Sequence, residues 1–113
     1  MLEITLELKN TILDTYKIDK PEITIGRNNA NDITIDNLAV SDRHARILKA
    51  QNSYYLEDLK STNGTFVNGQ KISKVALRNE AQIEIGKHIL TVKILASKDP
   101  SRDFARTMKV DRR

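Results

Sequence analysis

Residues 21–35 read PEITIGRNNANDITI, two short alternating runs held apart by seven small or polar residues. Side chains alternate faces along an extended chain. Ile23 and Ile25 therefore share one face ahead of Gly26, and Ile33 and Ile35 share one after Asp32. Runs this short, rich in β-branched residues and separated by Gly and Asn, read as strands joined by a polar loop.

The same period of two extends in both directions. Leu2, Ile4, Leu6 and Leu8 line one face of a first strand, and alternation returns over residues 44–49, 54–59, 65–67, 81–85 and 88–95. Thirteen Ile, five Val and nine Thr supply side chains suited to half-buried pleated surfaces, while no segment sustains an i, i+3, i+4, i+7 stripe. The expected fold is an all-β sandwich of many short strands with polar turns. Its longer polar stretches are residues 26–32 (GRNNAND), 36–43 (DNLAVSDR) and 60–64 (KSTNG). In a sandwich, loops that share a pole form one surface.

Residues 58–69, DLKSTNGTFVNG, contain two Asn-Gly pairs, Asn63-Gly64 and Asn68-Gly69. Asn-Gly signals a two-residue hairpin turn, because both central positions of that turn need positive φ. Only Thr65, Phe66 and Val67 separate the pairs, too little strand for two ordinary hairpins. One pair is expected to turn the chain and the other to serve a different purpose.

A chain of 113 residues suits one compact domain, taken as residues 1–96. From Ser97 the sequence becomes SKDPSRDFARTMKVDRR, charged and without period, and reads as a mobile tail or linker. Of the formal net charge of +4, this tail carries +3, from six Lys or Arg against three Asp or Glu. The nearly neutral body has only four aromatic residues, Tyr16, Tyr54, Tyr55 and Phe66. That composition argues against a nucleic-acid module, which needs a basic stripe and stacking platforms. Binding of nucleic acid by the basic tail would show as a steep salt dependence lost on removing residues 97–113. The absence of cysteine fits a reducing compartment and excludes thiol nucleophiles and thiolate metal sites. With neither an apolar leader after Met1 nor a long apolar run, a cytoplasmic protein without membrane insertion is expected.

No catalytic constellation is present. His44 and His88 both lie in strand-like context, and the adjacent Glu57 and Asp58 project to opposite strand faces. Neither a P-loop, a Gly-x-Ser-x-Gly elbow nor a metal-spaced histidine cluster occurs. The expectation is a non-enzyme with no metal and no cofactor. What remains are groups suited to holding an anion. Arg27 after Gly26 offers two parallel charge-assisted hydrogen bonds, Ser41 a hydroxyl, and Thr62 with Asn63 a hydroxyl and an amide. Each alone is an ordinary turn or loop residue.

Their order is more specific. Gly26-Arg27, Ser41-x-x-His44-Ala45, Ser61-Thr62-Asn63-Gly64-Thr65 and Asn68-Gly69 together resemble the forkhead-associated (FHA) domain over about residues 3–95. The resemblance implies a β-sandwich of about eleven short, mostly antiparallel strands in two sheets, with loops at one pole that bind a phosphothreonine in an extended peptide. It gives Arg27 the phosphate ion pair, Ser41 a hydroxyl bond to the phosphate, Thr62 a polar contact and Asn63 the peptide backbone. Gly26, His44, Gly64, Asn68 and Gly69 are then structural. Asn63-Gly64 presents the ligand contact, and Asn68-Gly69 is the hairpin turn.

The family's common form is Ser-Arg-x-His, whereas this chain has Ser41-Asp42-Arg43-His44. An Asp42 carboxylate about 8 Å from the phosphate, at an effective dielectric near 40, would oppose each unit of its charge by roughly 1 kcal/mol. Asp42 either weakens phosphate binding or selects a basic residue in the ligand. Strand alternation would point Arg43 away from Asp42, and the roles of both stay open. The function implied is phosphorylation-dependent protein–protein interaction in signalling, with a Ser/Thr kinase or its substrate as partner, as in bacterial regulators. The alternative is a phosphate-independent scaffold or self-association module on the same fold. Thr107, phosphorylated in the tail, is a further candidate ligand.

Overall fold

The computed structural model describes residues 1–95. The tail, and with it Thr107, lies outside the described residues. Eleven strands follow in order: β1 (Leu2–Leu8), β2 (Thr11–Ile18), β3 (Glu22–Gly26), β4 (Ile33–Thr34), β5 (Ala45–Ala50), β6 (Ser53–Asp58), β7 (Thr65–Val67), β8 (Gln70–Ile72), β9 (Lys74–Leu77), β10 (Ala81–Ile85) and β11 (His88–Ile94). They form a six-stranded sheet, β2-β1-β11-β10-β7-β8, and a five-stranded sheet, β4-β3-β5-β6-β9. Every pairing is antiparallel except β3 with β4.

The alternation seen in sequence becomes the core. Leu2, Ile4, Ile83, Leu90 and Val92 of the first sheet are buried, as are Ile23, Ile25, Ile47 and Leu56 of the second, all in one cluster. Their neighbours along each strand face outward. Burying such a side chain contributes about 1.5–3 kcal/mol relative to leaving it exposed, so the pattern fixes which face of each strand turns inward and hence its register.

Three strands are not evident from periodicity. In β2, Leu6 pairs with Asp14 while Glu7 pairs with Ile12, leaving Leu13 as an extra residue in a bulge. The bulge breaks the period of two, and on this edge strand residues 11–15, Ile12 and Leu13 among them, are exposed. β8 and β9 have only three and four residues and present little buried surface.

Turn chemistry also divides as the sequence suggests. Asn68 and Gly69 both have positive φ and join Val67 to its partner Gln70, a two-residue hairpin. Within the first pair only Gly64 has positive φ, with Lys60 the other such residue of its segment, and there the chain leaves β6 in one sheet to enter β7 in the other. Asn63-Gly64 therefore belongs to a crossing between sheets.

His88 opens β11 and is 5% exposed, with no hydrogen-bond partner for Nδ1 among the described residues. Burial pushes its imidazole below the ordinary histidine value. Above about pH 6.5 the residue is neutral in both folded and unfolded chains. As the pH falls through that value, the unfolded chain takes up a proton that the folded one does not, so stability declines until the lower folded value is reached. The urea midpoint is expected to drop between about pH 7.5 and about pH 5.5, and His88→Gln is expected to flatten the slope. An unchanged slope in the variant would assign the dependence elsewhere. Asp32 and Asp58, both held below the ordinary aspartate value, lose their contributions at a more acid pH and do not overlap this window.

Candidate functional site

The register brings several strand ends to one pole. Ile25 near the end of β3 pairs with Ala45 at the start of β5, which pairs with Asp58 at the end of β6. Residues 27–32, 35–44 and 59–64 leave from these ends, and hydrogen bonds tie the three segments together. The Arg27 amide donates to the Ser41 carbonyl at 2.9 Å, the Thr62 amide donates to Ser41 Oγ at 3.1 Å, and Asn63 Nδ2 donates to the Ala39 carbonyl at 2.8 Å.

His44 is the fully buried centre of this arrangement. Its Nδ1 accepts from the Ser41 amide at 3.1 Å, which places the ring proton on Nε2, and Nε2 donates to the Gly64 carbonyl at 2.9 Å. One imidazole thus spans two loops. Backbone bonds hold it in place, since the His44 amide donates to Ile25 and its carbonyl accepts from Leu59.

The segment after β6 is shaped by Asp58. Its Oδ1 accepts from Ser61 Oγ at 2.5 Å and from Thr65 Oγ1 at 2.6 Å, and its Oδ2 accepts from the Ser61 amide. Ser61 Oγ in turn accepts from the Gly64 amide. Burial raises the Asp58 carboxyl, but the Ser61 and Thr65 hydrogen bonds outweigh it and leave the group below its ordinary value. This explains why Ser61 and Thr65 flank Thr62 and Asn63: the flanking hydroxyls turn inward to the carboxylate, and Thr62 and Asn63 are left exposed.

The loop after β3 has its own anchor. Asp32 accepts from Lys20 Nζ at 2.5 Å and from the Thr24 amide and hydroxyl. Burial again raises the carboxyl, and the bonds from Lys20 and Thr24 bring it below its ordinary value. Gly26 is required by close approach. A Cβ there would run into the Asp42 carbonyl, a backbone group that cannot move without displacing the Ser41–His44 segment.

Arg27 emerges directly beyond. Its Nε donates to the Val40 carbonyl at 3.2 Å, orienting the guanidinium, and Nη2 lies 3.4 Å from Asp42 Oδ1. Ser41 Oγ uses an acceptor lone pair on the Thr62 amide, which leaves its O–H as a donor. Asn63 retains one amide N–H and its carbonyl oxygen for a further partner. Arg27, Ser41, Thr62 and Asn63 therefore stand together at one pole, while Asn68-Gly69 turns the β7–β8 hairpin. Asp42 and Arg43 occupy a bend, not extended strand, and both border one open concavity together with Asn28, Ala30 and Asn31. The alternation that would separate them does not apply. Leu38 on the 35–44 segment is 90% exposed, and motif reading passes over it. Sequence gives no signal for it, because Ala39 and Val40 follow directly and Val40 is buried in the core.

The sequence model of the FHA domain matches residues 23–86. The chain belongs to the forkhead-associated family. The matched FHA region contains all four donor residues, Thr62 and Asn63 exposed and Arg27 and Ser41 half-buried, and the His44 bridge. Among curated relatives, the oxoglutarate dehydrogenase inhibitor of Corynebacterium diphtheriae is 35% identical over 72 residues, 64% of this chain and 50% of that one. The chain spans about half the length of the curated relatives it matches. An FHA domain solved for a structural and functional analysis of phosphothreonine-dependent FHA domain interactions superposes with a TM-score of 0.74 at 28% identity, covering 84% of this chain and 99% of that one. EmbR of Mycobacterium tuberculosis, solved with a low-affinity phosphopeptide, gives a TM-score of 0.74 at 32% identity, over 85% of this chain and 25% of that one. Among the described residues of this FHA domain, no cluster of His, Asp or Glu is arranged to hold a metal ion, and no helix is long and apolar enough to cross a membrane.

Proposed function

We propose that this domain is a phosphothreonine-peptide binding module for phosphorylation-dependent protein–protein interaction in signalling, with no catalysis of its own. The observation that carries the reading is the convergence of Arg27, Ser41, Thr62 and Asn63, from three separate loops, on a pole braced by buried His44. Arg27 supplies the charge for the phosphate and Ser41 a hydroxyl donor. Thr62 makes a polar contact beside the phosphothreonine, and Asn63 holds the peptide backbone through the amide groups that Ala39 leaves free. Family membership and the likeness to FHA domains studied with phosphothreonine or phosphopeptide ligands support these roles.

The partner is a phosphorylated protein, a Ser/Thr kinase or its substrate. Kinases draw on cytoplasmic ATP, and we therefore place the domain in the cytoplasm. A related protein is named as an enzyme inhibitor, and we assign the present domain to a bacterial regulator acting in the same general way, through binding. Residues 1–96 form the binding unit, and residues 97–113 serve as a tail or linker. A phosphate-independent scaffold on the same fold is the second reading. Its support is the Arg27–Asp42 ion pair, which gives the guanidinium a partner before any ligand arrives.

A degenerate phosphothreonine peptide library, titrated beside its phosphoserine and unphosphorylated counterparts, tests the proposal. Binding is expected only with phosphate. Phosphothreonine is expected to be the tighter ligand by at least the about 0.8 kcal/mol that burial of one methyl-sized group contributes. Capture of a partner that is unaffected by phosphatase treatment would favour the scaffold.

A further inference from the structure

Asp42 is unusual in having a fixed backbone and a free head. Its carbonyl accepts from the Asn28 amide at 3.3 Å and from Asn31 Nδ2 at 2.7 Å, and it abuts the face of Gly26 where a Cβ would stand. The side chain, 69% exposed, meets Arg27 Nη2 at 3.4 Å. Arg27 itself cannot turn freely, because Nε is bonded to the Val40 carbonyl. The cation assigned to the phosphate thus has a resident counter-ion from its own loop.

A phosphate arriving at this guanidinium shares it with the carboxylate, and like charges at that separation repel. The Asp42 backbone is pinned, so relief comes from its side-chain torsions. Rotation away from Arg27 leaves the carboxylate on the concavity bounded by Asn28, Ala30, Asn31 and Arg43. There Asn31 spends both amide hydrogens on the Asn28 and Asp42 carbonyls, which leaves its side-chain oxygen as an acceptor. A carboxylate and an amide oxygen beside one recess form an acceptor set for an ammonium or guanidinium group. Arg43 borders the same recess yet makes no ion pair among the described residues. It is the internal competitor for the released carboxylate.

We propose that Asp42 is a specificity residue that pairs with Arg27 in the free domain and, once phosphate takes Arg27, with a basic side chain flanking the phosphothreonine of the ligand. The proposal rests on the phosphothreonine reading of this pole and adds which peptides it prefers. Asp42 penalises ligands that bring phosphate alone and favours those that also bring a cation.

The test is fluorescence polarisation with phosphothreonine peptides carrying Lys, Ala or Glu at each flanking position, against the native domain, Asp42→Asn and Arg43→Ala. For the native domain, Lys at one flanking position is expected to tighten binding about fivefold over Ala, the scale of a partly exposed ion pair. Asp42→Asn is expected to strengthen the Ala peptides about tenfold by removing the repulsion and to level the Lys preference. Arg43→Ala is expected to widen that preference. Tight binding by both the native domain and Asp42→Asn without any effect of flanking charge, or a Lys preference that survives Asp42→Asn, overturns the assignment. Failure of every phosphothreonine peptide to bind either protein overturns the phosphothreonine reading itself, and the assignment with it.

Discussion

Arg27→Ala is expected to weaken phosphothreonine-peptide binding by about a hundredfold or more while leaving the fold intact. Charge-assisted hydrogen bonds contribute roughly 1.5–3 kcal/mol each, and a guanidinium presents two to one phosphate. A loss of about 3 kcal/mol corresponds to a factor of about 150 in Kd. The effect on stability is modest, because the change removes only the exposed Arg27–Asp42 pair, which contributes about 0–1 kcal/mol, and the Nε bond to the Val40 carbonyl, which contributes about 0.5–1.5 kcal/mol. Arg27→Lys keeps the charge but loses the fork, and is expected to fall between the native domain and Arg27→Ala. Calorimetric titration together with a melting curve separates binding from folding. Unchanged affinity in Arg27→Ala would remove the phosphate from this pole.

His44→Ala is expected to have the largest effect on stability of any single change at the pole. It empties a fully buried volume and leaves the Ser41 amide and the Gly64 carbonyl without their partner. Deletion of a large buried side chain and loss of buried hydrogen bonds together cost about 3–4 kcal/mol. For a domain of this size that is a fall of about 15 °C or more in Tm. Affinity is expected to fall as well, because the imidazole is what sets Ser41 relative to Gly64. A drop below about 1 kcal/mol would show that the two loops are held by other contacts, such as the Thr62–Ser41 bond.

These two residues also illustrate what the sequence makes legible. Strand identity was readable wherever one face is buried, as at Leu2, Ile4 and Leu6 or Ile83 and Ile85, because burial imposes a period of two. It fails at β2, where the Leu13 bulge shifts the phase, and at β8 and β9, which are too short to show a period. The Lys9-Asn10 turn between β1 and β2 was also silent: both residues take positive φ without a glycine to announce it. The candidate site was legible as an ordered set of short motifs, and hydrogen bonding gives those motifs their spacing. Ser41 and His44 lie three residues apart because the ring of one accepts from the amide of the other.

What sequence does not carry is the contact between loops. Nothing in the separation of Arg27 from Asp42 announces an ion pair. It follows from the close approach of Gly26 to the Asp42 carbonyl and from the bend at residues 42–43. The purpose of Asn63-Gly64 is similar. The spacing of the two Asn-Gly pairs shows that they differ in purpose, but that the first lies on a sheet-to-sheet crossing follows only from the partner strands, β5 and β9 for β6 but β10 and β8 for β7. Leu38 is a third case, since exposure of an aliphatic residue depends on where the loop stands, which local pattern does not encode.

The most direct test of the phosphothreonine site is a heteronuclear NMR titration of the labelled domain with the tightest phosphothreonine peptide from the library, followed by its unphosphorylated twin. The phosphopeptide is expected to shift the amide signals of Arg27, Ser41, Thr62 and Asn63 together with the side-chain amide of Asn63, and the unphosphorylated twin to shift none of them. Phosphate-dependent shifts confined to another face, such as the exposed β2 edge around Ile12 and Leu13, or equal shifts with both peptides, would contradict this expectation.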